Sequence, residues 1–136
     1  MNRSHSTTRV QPLDWKTESF RPNQTNTVAW NIPLSPADIN SLIAGFQPES
    51  MDDRWFIYSE GPNDRGKLLV NLHRSWTGIK VAQVVVDVTS GSEHIDSITW
   101  NNGEQTSRLS SHEAKETVAG TFKWVLGVKF PETALQ

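Results

Sequence analysis

The sequence predicts an α+β fold: a mainly antiparallel sheet of four to six strands, with two helices, at about 35–47 and 111–126, packed on it. Three observations lead there. Residues 54–74 read as two strands around a run of turn formers, Gly61-Pro62-Asn63-Asp64-Arg65-Gly66. Residues 79–88 (IKVAQVVVDV) are apolar on both sides, as in an interior strand with both faces at least partly covered. Ser35-Pro36-Ala37-Asp38 and Ser110-Ser111-His112-Glu113 each carry the residue types that open a helix.

Taken in order, residues 1–12 are polar and aperiodic, and a mobile tail is expected there. Residues 13–26 hold Trp15 and Phe20 as isolated anchors, which suits an extended arm laid on the body. Residues 27–32 alternate, with Val28, Trp30 and Ile32 on one face, until Pro33 ends the strand. Ser35 then suits the N-cap, Pro36 the first helical position and Asp38 the positive helix end. Ile39, Leu42, Ile43 and Phe46 make one apolar stripe before Pro48.

In residues 67–74, Leu68, Val70 and Leu72 share one face, and Lys67, Leu69, Asn71 and His73 share the other. Parity therefore places Arg74 with the aliphatic residues, where a guanidinium must find acceptors or water. It either pairs at the rim with Asp52 or Asp53, or lines a pocket and receives an anionic ligand. In residues 79–88, Ala82, Val84, Val86 and Val88 face one way and Ile79, Val81 and Val85 the other. A weaker strand over 94–102, with Ile98 and Trp100 on one face, precedes the Asn102-Gly103 turn. Residues 104–109 suit a short return strand or a loop. In the second helix Ala114, Val118, Phe122 and Val125 mark the buried side, and Gly127 is placed as C-cap. Gly120 costs about 1 kcal/mol relative to Ala inside a helix, and a close helix–sheet approach would account for it. One domain over 13–130, between tails 1–12 and 131–136, is the expected organisation.

A chain of 136 residues is long enough for a single core. A net charge of −2 gives no electrostatic case for nucleic acid as partner. Cysteine is absent, which removes disulfides and thiolate chemistry and is compatible with a reducing cytosol. The N-terminus has no apolar core of a signal peptide, and no run is apolar enough for a membrane span, so a cytoplasmic protein is expected. Six Trp accompany one Tyr. Because the indole N–H wants a partner, two or three of the six are expected partly exposed.

No catalytic or metal signature emerges. His5, His73, His94 and His112 have no ligand spacing, so no metal is expected. Neither a G-x-S-x-G elbow nor a phosphate-binding glycine loop occurs, and no cofactor is expected. What stands out is a concentration of charged and aromatic groups at adjoining strand ends. Asp52, Asp53, Arg54, Trp55 and Tyr58 lie on one side of the hairpin, and His73, Arg74, Ser75, Trp76 and Thr77 on the other. Arg and Trp together are enriched at binding hot spots. The residues from Asp53 to Thr77 in this set, without Asp52, form the candidate ligand-binding group.

The segments MDDRWFIY (51–58) and HRSWTG (73–78) resemble the hallmark of a family of small bacterial proteins whose activity is unassigned. Its related segments occur alone or beside ADP-ribosylglycohydrolase-like enzymes. The similarity spans about residues 30–88 of the 136. It implies a bacterial cytoplasmic protein linked to NAD or ADP-ribose metabolism, and it transfers no catalytic residue.

Together these readings point to a binding module rather than an enzyme, taking a nucleotide-like or ADP-ribose-related anion or a partner protein. Two alternatives stand beside it. One is a small hydrolase acting on an ADP-ribose-type compound, with His73 and Asp52 or Asp53 as acid–base groups. The other is an immunity-type protein that binds a partner enzyme through an exposed aromatic and charged patch.

Overall fold

The computed structural model describes residues 9–135. Five strands form one sheet: β1 (Thr25–Pro33), β2 (Trp55–Glu60), β3 (Lys67–Arg74), β4 (Lys80–Asp87) and β5 (His94–Asn101). Their order is β1-β5-β4-β3-β2, and every neighbouring pair is antiparallel. Strands β2 to β5 are a meander, whose tight turns suit antiparallel neighbours. Helix α1 (Pro36–Ala44) takes the chain from edge strand β1 to edge strand β2, and helix α2 (Ser111–Thr121) follows β5.

Both helices open as their sequences predict. Ser35 Oγ accepts from Asp38 N at 3.1 Å while Ser35 N donates to Asp38 Oδ2 at 3.0 Å. Ser110 and Glu113 make the same reciprocal pair at 3.1 and 2.9 Å. Beyond Thr121 the expected α-helix gives way to one π-helical turn, Phe122–Leu126, closed by Gly127 at φ 72°. Residues 104–109 form no strand; Glu104–Thr106 make a single 3-10 turn.

The sheet has two unlike faces. Directly paired residues share a face, so Ile57, Leu72, Ala82 and Trp100 make one row and Val70, Val84, Ile98 and Val28 the next. Against these rows pack Ile39 and Leu42 of α1, Ala114 and Val118 of α2 and Phe122 of the π-helical turn after it, completing the core. Gly45, at φ 75°, lets the chain leaving α1 pass close against β2; a Cβ there would strike the Ile57 carbonyl. That approach allows Phe46 and Ile57 to exchange backbone hydrogen bonds at 2.9 Å in both directions. Gly120 makes no such approach. An added Cβ there would meet nothing within 4 Å, so the close contact expected from sequence is absent and this glycine lies open to a groove.

The second face carries Phe56, Tyr58, His73, Asn71, Lys80 and Gln83, and the N-terminal arm covers part of it. Trp15 stacks on Phe56 with ring centroids 6.1 Å apart, and Lys80 Nζ sits 4.7 Å from the centre of the Phe20 ring. Of the expected tail, residues 1–8, with His5, lie outside the described residues. Arg9 and Val10 are tied down: Arg9 Nη2 donates to Ser59 O and Val10 N to Ala44 O, both at 2.9 Å. The C-terminal stretch expected as a tail also packs, through the 3-10 turn Glu132–Leu135, with Ala134 buried. The cause is Trp30, whose buried indole N–H finds its acceptor in Ala134 O at 2.9 Å.

A bulge corrects the simple alternation of β4. Leu72 pairs with Ala82 but His73 with Lys80, so Val81 is the extra residue. Val81 is thereby buried in the core instead of on the face of Val85, and Lys80 is brought beside His73. Among the described residues no helix is long and apolar enough to cross a membrane.

Candidate functional site

The strand ends at 52–55 and 74–79 meet as the sequence predicts, joined by backbone geometry before any side chain is considered. Trp55 pairs with Arg74, and Ser75 N donates to Arg54 O at 2.9 Å. Ser75 Oγ donates to Asp53 O at 2.7 Å, and the Ser75 carbonyl accepts from Trp15 Nε1 at 2.8 Å. Ser75 is therefore a buried knot of this corner and its hydroxyl is spent within the fold. Gly78 N donates to Arg74 O at 2.8 Å and closes the tight turn into β4.

Around this corner the structure places a cleft of about 460 Å3 lined by Arg54, Arg74, Trp76, Thr77, Ile79 and Gln105. Arg74 does share the aliphatic face, at its very end. Pairing with Asp52 or Asp53 does not occur: among the described residues neither Arg74 nor Arg54 forms an ion pair. The Asp53 carboxylate instead accepts from Glu49 N at 2.9 Å and Ser50 N at 3.2 Å, bracing the turn before β2. Arg74 lies over the Trp55 ring, 4.5 Å from its centroid. Partial burial, and then the Arg54 cation nearby, hold its pKa below the ordinary arginine value; a guanidinium remains charged regardless. Two cations thus face one cleft without a carboxylate to neutralise them.

Gln105 was not expected in the site. Its Oε1 accepts from Asn101 Nδ2 at 3.2 Å, which leaves its amide N–H groups for the cleft. A neutral residue in a short irregular turn carries no sequence signal; only the fold of the segment after β5 brings it here.

His73 and Tyr58 lie elsewhere. One residue from Arg74, and so on the opposite face, His73 is 1% exposed. It stacks on Tyr58 with centroids 5.6 Å apart and lies 6.3 Å from Phe56. Nδ1 is 3.0 Å from Gly78 O and donates to it; Nε2 is buried with no partner among the described residues. Burial, above all, pushes the imidazole pKa down to about 4, the Gly78 carbonyl opposing and Lys80 adding to the effect. His73 is neutral at pH 7. Tyr58, shielded by burial and near Glu60, has its pKa raised. Lys80 is lowered by burial, against the pull of Glu60.

Two further concavities flank the corner. One, of about 500 Å3, runs between Trp15, Pro48, Met51, Ser75 and Trp76. The other, of about 530 Å3, has Trp55 and Trp124 among its walls and Asp52, Glu116 and Gly120 along it. Trp76 is 73% exposed and Trp124 80%. Trp15 and Trp55 are half-buried, so four of the six indoles reach solvent, more than expected. Among the described residues no group of three or more acidic or histidine side chains is placed to hold a metal. Comparison of the chain with protein-family models, curated proteins and solved structures returned no match.

Proposed function

We propose that this protein is a non-catalytic binding module that holds an anionic group in the cleft between Arg54 and Arg74. The observation that carries the reading is the pair of guanidiniums lining one concavity with, among the described residues, no carboxylate in ion-pair range. Leaving two such cations together is unfavourable, and a bidentate phosphate or carboxylate relieves it. Trp76 supplies a ring wall and Gln105 a neutral donor. A phosphate of a nucleotide-like or ADP-ribose-type ligand fits that chemistry. A bacterial cytoplasmic setting belongs to the proposal through the resemblance of residues 51–58 and 73–78. The hydrolase alternative gains no support from geometry, because His73 faces the other side of the sheet from Arg74 and the Asp53 carboxylate is engaged in its own turn.

The test is a thermal-shift and calorimetric series with inorganic phosphate, AMP and ADP-ribose. A ligand that binds the native state at a hundred times its Kd adds about 2.7 kcal/mol of stability. The expected result is a rise in melting temperature that Arg74→Lys abolishes while its own melting stays at the wild-type value, since Lys lacks the planar fork. No response to any of the three anions at millimolar concentration overturns the reading.

A further inference from the structure

We infer that the corner around Trp76 docks an extended segment of a partner protein that carries a large apolar side chain beside a carboxylate. The inference rests on the anion-receiving cleft proposed above and adds what lies across Trp76 from it. Trp76 is a wall shared by two concavities: the arginine cleft, and the groove of Trp15, Pro48, Met51 and Ser75. Met51 is 81% exposed and Trp76 73% exposed, an unusual investment of large apolar surface in water.

These rings are held in place. Trp76 Nε1 donates to Met51 O at 3.1 Å, and Trp15 Nε1 donates to Ser75 O at 2.8 Å. With both indole N–H groups satisfied inside the fold, the surface left to a ligand is largely apolar, with Glu49 and Ser50 among its polar members, so an incoming carboxylate is favoured on the arginine side of Trp76 and not in the groove. Rigid aromatic surface is also ordered before binding, which lowers the entropic cost of association. A bare phosphate would occupy the cleft and leave this groove in water. A carboxylate next to a large apolar side chain occupies both: its oxygens meet Arg54 and Arg74, and its neighbour crosses Trp76 into the groove. The charge complementarity is with an acidic segment, because among the described residues neither guanidinium forms an ion pair and no carboxylate lines their cleft.

The full chain is panned against a random peptide library displayed on phage, and enriched peptides are synthesised and titrated by fluorescence anisotropy. Enrichment of Asp or Glu within a residue or two of Leu, Phe or Trp is expected. So is a loss of affinity of about tenfold or more in both Trp76→Ala and Arg74→Glu, with circular dichroism melting curves showing both variants folded. Enriched peptides without an acidic residue, or binding indifferent to Trp76→Ala, overturn the inference. If no peptide is enriched while phosphate or AMP binds in an Arg74→Lys-sensitive manner, the docking inference falls and the anion cleft stands. If instead the chain self-associates and Trp76→Ala dissolves the oligomer, the occupant is a second copy and the inference falls. Failure of peptides and small anions alike removes both readings.

Discussion

His73 and Arg74 are neighbours in the chain and opposites in the molecule. His73 faces the arm-covered side of the sheet, dry and uncharged, stacked on Tyr58 with one nitrogen unpartnered. Arg74 faces the helix-covered side at its open end, charged, over Trp55 and next to a second arginine. At this end of the sheet the two faces are finished by different means. Trp15 and Phe20 cover the first, whereas the arginine cleft on the second is lined by no residue of either helix. A polar group at a closed end is a structural group with a suppressed proton affinity; at an open end it is available to a ligand.

The comparison can be broken most severely at the core both faces depend on. Val84 is fully buried in the central strand β4, and Val84→Asp places a charge with no partner there. Loss of more than about 4 kcal/mol is expected, seen as absence of a cooperative thermal transition; a wild-type melting temperature would contradict the strand order.

Acid should act next, through the closed end. The unfolded chain takes up a proton on histidine near pH 6.5, the folded protein only near pH 4 at His73. The unfolded state thus binds more protons between these values, so this contribution is complete above about pH 6.5 and is lost as pH falls toward 4. The span corresponds to roughly 3 kcal/mol. Urea titrations at pH 7 and at pH 4.5 should show the loss in the wild type and a much smaller one in His73→Phe; equal losses would mean that His73 is not the group responsible.

The arm is the third lever. Trp15→Ala removes the stack on Phe56 and the donor to Ser75 O, with an expected cost of about 2 kcal/mol. It should also raise the apparent pKa of His73 in an NMR titration by admitting water to that face. An unchanged titration would show that Trp15 does not seal that face. Smallest is Arg74→Ala. With no carboxylate partner to orphan, it should change stability by under about 1 kcal/mol, read from the urea midpoint. A loss of several kcal/mol would mean that the open end is structural after all.

Much of the architecture was legible in order and type. The capping residues Ser35 and Ser110, the alternation of residues 67–74 and the two-sided apolar run of 79–88 act locally, so they are visible in one dimension. The candidate site was legible in part. Arg54, Arg74, Trp76 and Thr77 do line one cleft, but Tyr58 and His73 belong to the other face, and of these two only His73 was already separated from Arg74 by the parity of residues 67–74.

What the sequence determined by itself, then, was where the chain becomes strand or helix and which side chains share a strand face, because those depend on neighbours two to four residues away. The tertiary structure alone decided which carboxylates are free and which ends are sealed. Asp53 is spent on backbone donors of its own turn, Val81 is pushed into the core by a bulge, and Gln105 enters the cleft from a segment 31 residues beyond Arg74. Each depends on backbone groups or distant segments meeting in space. No residue type announces that meeting, so the lack of an ion pair at Arg54 and Arg74 among the described residues became visible only in the folded chain.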